Sequence, residues 1–310
     1  MPRIVLDRQT RAARKRARAT LGTLRDCQIA PTTFTRYLLA VSYFAHWALT
    51  MTGRLADSWD ELDLQVMAYM ETLWEEGDSK TFAANTLNGI QHLLCTRRVL
   101  PGGWKLLRTW DKKELPNRAP PLPSSVLLGM AGFAAREGRI DIAALLLVGF
   151  HAMLRTCEFL ALSAKNVAIN QAGGGVISLP WSKSAQRSGN VEYVTIDDPN
   201  VGQRLAAITK HLPPDALLLR GTSTEFRQFF ARALRELKVE QHDFRPYSVR
   251  RGGASFDFAT YGDIKRTMAR GRWGGWNVAR TYITEGWQVL HHLALSPETN
   301  KRIKHYSQFL

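Results

Sequence analysis

The sequence predicts a mainly helical protein of two domains, the second carrying a small antiparallel sheet. Three observations predict it. Apolar residues recur at steps of three and four through most of the chain, the spacing of one helix face. Prolines 116, 120, 121 and 123 make a stiff connector between two such regions. Between residues 167 and 196 the pattern changes to short apolar runs bounded by glycine and proline, which read as strands. With 310 residues and 45% hydrophobic side chains, the chain has enough material for one large or two ordinary cores.

Residues 1–30 form a basic extension rich in the helix formers Ala and Arg. A helix starts at Pro31-Thr32-Thr33, and Tyr37, Leu38, Val41, Phe44, Ala45 and Ala48 lie on one side of it. Ser58 caps the next helix, with Glu61 in the capping-box position and Val66, Met70 and Leu73 on a shared face. A third spans Ser79 to Arg97, with Phe82, Leu87, Ile90 and Leu94 inward. Pro101-Gly102-Gly103 reads as a turn that breaks the pattern. The first domain is therefore expected over 31–115 and the second over 116–310.

In the second domain, Ser124 opens a helix to about Glu137, and Asp141 another to about Met153. Strands follow at 167–170, 176–180 and 191–196, the first two joined by Gly173-Gly174-Gly175 and the last two by a turn over 181–190. After Pro199 the chain is helical again, with loops at Pro213-Pro214 and Gly221.

The net charge of +15 points to a polyanionic partner, and nucleic acid comes first because the basic residues recur along the whole chain. The run Arg11 to Arg18 admits three readings: a nuclear import signal, a DNA-contacting arm or a solvated basic helix end. Cys27, Cys95 and Cys157 form no metal-ligand pair, and the histidines lack zinc-finger spacing. No apolar run is long enough for a membrane span.

Three blocks after residue 150 carry the chemistry: Leu154-Arg155-Thr156-Cys157-Glu158, then Tyr247-Ser248-Val249-Arg250-Arg251-Gly252-Gly253, then Gly271-Arg272-Trp273 with Tyr282 nine residues beyond the tryptophan. Two guanidinium groups suit the non-bridging oxygens of a phosphodiester under attack, since they stay charged and offer a fork of donors. A tyrosine can hold a DNA end covalently, and a lysine can protonate the leaving oxygen. Each block is weak alone, and a solvated helix face or a core aromatic explains any one of them.

Together the blocks resemble the tyrosine recombinases, the phage-integrase family, with a flavour closest to those of eukaryotic mobile elements. The resemblance implies a helical core-binding domain and an α+β catalytic domain that clamp duplex DNA, and cleavage through a 3′-phosphotyrosine in recombination or integration. It implies Arg155 and Arg250 as the phosphate clamp, Lys183 in the hairpin as the acid, Trp273 as a hydrogen-bond donor, Tyr282 as nucleophile and Glu158 as a supporting carboxylate. Tyr247 stands where the family usually has histidine, so a DNA-binding descendant without cleavage stays open. Arg187, Arg251 and Arg272 are DNA-contact candidates. Seven arginines and one lysine stand between Arg245 and Tyr282 against Asp257 and Asp263, as a DNA-facing surface requires. No cofactor or metal is called for. The expected assembly is a homodimer on one site and a homotetramer in synapsis, with the tail residues Trp287, Val289, Leu290, Leu293 and Leu295 docked on a neighbour. The expected location is the nucleus in a eukaryote and the cytoplasm otherwise.

Overall fold

The computed structural model describes residues 8–283 and 295–310, apart from 21, 25, 97, 98, 115–117 and 181–190. It divides into two compact units, Met1–Asn117 and Arg118–Leu310.

The first unit is helical. Helix α1 (Arg8–Ala19) carries the basic run, and its side chains from Arg11 onward are exposed. Helices α2 (Pro31–Thr52), α3 (Trp59–Glu75), α4 (Lys80–Leu93) and α5 (Pro101–Lys113) enclose Phe44, Val66, Met70, Leu73, Leu87, Ile90 and Trp110. The start of α3 is fixed by the Ser58 hydroxyl, which accepts from the Glu61 N–H at 3.2 Å, a cap that stabilises by about 1 kcal/mol. The Glu61 carboxylate accepts from Asp57 N–H at 3.0 Å. Leu94, expected inward, is exposed because the helix ends one residue before it.

Helix α5 corrects the turn expected at Pro101. Proline needs no N–H in the first turn of a helix. The N–H groups of Gly102 and Gly103 both donate to the Asp63 carboxylate, at 2.7 and 2.9 Å. A Cβ on Gly103 would lie 2.7 Å from Leu87 Cδ2, so glycine here serves close approach.

The second unit begins with an irregular segment in which Ala119, Pro121, Leu122 and Pro123 are buried. Leu122 N–H donates to Ser248 O at 3.0 Å, so this part of the proline run is docked on the unit and is not a free connector. Helices α6 (Ser124–Arg136) and α7 (Ile140–His151) follow, the latter with an almost wholly apolar surface that is buried from Asp141 to Phe150. After the short helix α8 (Thr156–Leu160), strands β1 (Val167–Ile169), β2 (Gly175–Leu179) and β3 (Glu192–Ile196) make an antiparallel sheet in the order β1-β2-β3. Val167 pairs with Ile177, and Ile177 with Val194. Helices α9 (Pro199–Thr209), α10 (Ser223–Glu236), α11 (Ser248–Tyr261), α12 (Ile264–Gly271), α13 (Trp276–Ala279) and α14 (Pro297–Ser307) complete it. The protein is thus mainly helical with a small antiparallel sheet in its second unit.

Two features of this unit position the site. Helix α11 packs nearly backbone to backbone on α7 and on the segment before α6: a Cβ on Gly253 would sit 2.0 Å from Phe150 O, and one on Gly252 2.1 Å from Leu122 O. Leu295, expected on a neighbour, is instead buried in this unit's own core together with Ile303 and Tyr306 of α14. Trp287, Val289, Leu290 and Leu293 lie outside the described residues. Among the described residues no helix is long and apolar enough to cross a membrane.

Candidate active site

The loop between α7 and α8 presents Arg155 at the N-terminus of α8. Buried Glu158, in the first turn of that helix, reaches back: one carboxylate oxygen accepts from Arg155 N–H at 2.8 Å, the other from the Arg155 guanidinium at 2.5 Å. The sequence folds this way because a carboxylate three residues on satisfies the N–H left open at a helix start. Glu158 also accepts from Arg272 Nη2 at 2.7 Å. Burial raises the Glu158 pKa, but the Arg272 charge and the hydrogen bonds from both arginines outweigh it and hold the carboxyl below its ordinary value. Burial likewise depresses Arg155, and its pairing with Glu158 more than restores it, so its net shift is upward.

Arg250 lies in the first turn of α11 and is fully buried. One guanidinium nitrogen donates to Met153 O and another to Gly271 O, the latter at 2.6 Å, while Nε has no partner. Burial, then the charges of Arg272 and Arg155, lowers its pKa to about 10, so it remains charged at neutral pH. Its guanidinium carbon stands 5.3 Å from the Trp273 ring centre and 5.4 Å from that of Tyr282.

Tyr282 follows α13 and is half-buried. Its ring stacks on Trp273, with centres 4.6 Å apart and planes at 25°. Ser255 Oγ of α11 donates to Tyr282 O at 3.1 Å, which ties this segment to the helix bearing Arg250. The hydroxyls of Tyr282 and Tyr247 share a 2.5 Å hydrogen bond. Burial, that bond and the proximity of Tyr282 raise the Tyr247 pKa to about 12. Trp273 Nε1 is buried without a partner.

Arg155, Glu158, Tyr247, Arg250, Trp273 and Tyr282 thus come together in one cluster. Lys183 and Arg187 lie outside the described residues. Arg272, a DNA-contact candidate, is turned inward: its side chain is 8% exposed and faces Glu158 and, at 3.6 Å, Glu192. Arg251 is also buried, beside Arg118, and burial and that like charge lower its pKa.

Sequence reading missed a neighbouring network. Arg270 pairs with Asp197 and, at 3.5 Å, with Asp257, and donates to His151 O at 3.0 Å. His151 Nε2 accepts from Asp197 N–H at 3.1 Å. Burial and the Arg270 charge lower the His151 pKa, although Asp198, Asp197 and Asp257 pull it up. The arginine excess after Arg245 is therefore partly neutralised by acids distant in sequence, which a local charge count omits.

No protein-family model matches the chain, and no curated protein sequence matches it. Among the solved structures similar to it, two share most of their length with it. One is the XerH site-specific recombinase bound to palindromic difH substrate in a post-cleavage complex, at TM-score 0.56 and 18% identity over 92% of this chain and 83% of that one. The other is XerH bound to difH before cleavage, at TM-score 0.55 and 17% identity over the same shares. At these identities the likeness is one of architecture, and the chain has the fold of the XerH site-specific recombinase.

Proposed function

We propose that the chain breaks and rejoins DNA strands through Tyr282, as a tyrosine recombinase acting in site-specific recombination or mobile-element integration. One observation carries the reading: the Tyr282 ring lies 5.4 Å from the Arg250 guanidinium and Tyr282 interacts electrostatically with Arg155, and both arginines are hydrogen-bonded to protein partners. Pre-set cations next to a nucleophile are what a phosphoryl-transfer transition state needs.

In the reaction, Tyr282 Oη bonds to the scissile phosphorus as the bond from phosphorus to the 5′ oxygen breaks. The Tyr282 proton passes to a water or to a phosphate oxygen and the 5′ oxygen gains one, so the step is balanced and rejoining reverses it. Arg155 and Arg250 hold the non-bridging oxygens, and the unpartnered Trp273 N–H donates a further bond. Lys183 protonates the 5′ oxygen. Tyr247 holds its proton to about pH 12, so it donates to the Tyr282 oxygen as that oxygen becomes nucleophilic. The 3′ polarity of the adduct and the assembly into dimers and tetramers follow from the family resemblance. Residues 31–115 act as the core-binding domain and 116–310 as the catalytic domain.

A suicide duplex tests this: a detergent-stable protein–DNA adduct forms and is lost in Tyr282→Phe. Affinity for duplex DNA falls steeply between about 50 and 200 mM salt. A second reading, a DNA-binding descendant without cleavage, is favoured by Tyr247, which with its raised pKa is no general base near neutrality. Tight binding to the cognate site with no adduct on any substrate selects that reading.

A further inference from the structure

We infer that Arg272 is a positioning residue for the phosphate clamp, acting through Glu158 on Arg155; this rests on the strand-cleavage reading above. Arg272 occupies the left-handed region, with φ 57°, at the end of α12, a conformation that arginine adopts at a cost. That turn sends its side chain inward, to 8% exposure, onto the carboxylate that also holds Arg155.

The arithmetic of charge shows what it does there. Arg155, Arg250 and Arg251 all interact electrostatically with Tyr282, and Glu158 and Glu192 act on Arg155 from the same cluster. Removing Arg272 takes one positive charge from this cluster and weakens its pull on the charge that builds up on a phosphate under attack. Glu158 has two oxygens, and Arg272 engages the one that also receives the Arg155 N–H, leaving a single oxygen for the Arg155 guanidinium. Deprived of Arg272, a buried carboxylate would close on Arg155 with both oxygens and withdraw donors from the substrate. Arg272 also points Nη2 at Met153 O, 3.4 Å away, the carbonyl that receives Arg250. It therefore contacts the partners of both halves of the clamp, Glu158 for Arg155 and Met153 O for Arg250.

The experiment compares wild-type protein, Arg272→Met and Arg272→Lys in single-turnover adduct formation, on a plain suicide duplex and on one with sulfur at the 5′ bridging position. Sulfur leaves without needing a proton, so it bypasses the acid but not the clamp. The expected result is a fall on the order of 10²-fold for Arg272→Met on both substrates, as for loss of one transition-state donor. Arg272→Lys, which keeps the charge and one bond to Glu158, should fall less. DNA affinity should stay within a few-fold of wild type. An Arg272→Met protein that cleaves at the wild-type rate overturns the inference. So does full rescue by sulfur, which would assign Arg272 to the hairpin side through Glu192. If Arg272→Met does not fold, Arg272→Lys decides: wild-type cleavage by it on both substrates supports a charge role, and loss rescued by sulfur overturns the clamp role. Absence of adduct from the wild-type protein is a separate outcome, which removes the cleavage reading and not the geometry of the brace.

Discussion

The proposed clamp and the proposed nucleophile are built on unequal foundations. Arg155 stands at the start of α8 and Arg250 in the first turn of α11, two helices whose residues Phe159 and Val249 belong to the large core of the second unit. Trp273 and Tyr282 belong to a small separate cluster with Met153, Ala254 and Ala279, flanked by Ile264, Met268 and Ile283. The difference teaches that the arginines proposed to receive charge stand on helices of the large core, while the proposed nucleophile rides on few buried contacts. Rigid donors keep their orientation without reorganising during reaction. A lightly anchored tyrosine can shift toward phosphorus at small cost in free energy.

The largest expected effect separates the two halves by chemistry. Tyr282→Phe keeps the ring stacked on Trp273, so the fold and DNA affinity should persist while the adduct disappears on a denaturing gel. Arg250→Ala should lower cleavage by about 10³-fold or more. It should also lower the melting temperature, because Met153 O and Gly271 O lose their donor in a buried place. If both variants melted at the same temperature, the proposed division of labour would fail.

Next in size is the effect of widening the rigid half. Gly253→Val drives a side chain into Phe150 O and should destabilise by about 3 kcal/mol or prevent folding. Urea unfolding followed by circular dichroism measures it. A volume increase in the small cluster, such as Ala279→Val, should cost about 1 kcal/mol, because its neighbours can yield. Equal losses at the two positions would erase the contrast.

Hydrogen exchange sharpens it further. Amides of 278–283 should exchange through local opening, well before those of α7 and α11, which open only with the whole unit. Uniform protection across both would show the nucleophile segment to be as firmly held as the clamp.

The smallest effect is that of pH. The lowered pKa of His151 means that the unfolded chain takes up its proton first. Stability from this residue is full above the unfolded value of about 6.5 and declines as pH falls through the lower folded value. The melting temperature should drop on acidification below about pH 6.5, and less so in His151→Gln. An identical pH profile in the variant would assign the decline to other groups.

The three blocks were legible in the sequence because each is local: an arginine with a carboxylate three residues on, an arginine box opening a helix, a tryptophan nine residues before a tyrosine. The sheet was legible from short runs between glycines and prolines. What was hidden depends on partners far along the chain. Helix α5 reads as a turn until Asp63, 39 residues before Gly102, is seen to receive its first N–H groups. Arg272 reads as surface until Glu158, 114 residues earlier, is found against it. Arg270 likewise needs Asp197, 73 residues away. Periodicity reports which face a helix buries, but it does not report which ion a buried arginine meets.

The glycine pair of α11 has a consequence for how such a chain can diverge. Because Gly252 and Gly253 leave no room for a β-carbon, drift at these two positions is closed, whatever happens to the aromatic and charged residues around them. Ancestors and descendants that keep this helix crossing are expected to keep both glycines even where Tyr247 or Arg272 has changed. The pair is then a more durable mark of lineage than the side chains around it, because it is held by backbone contact and not by any reaction.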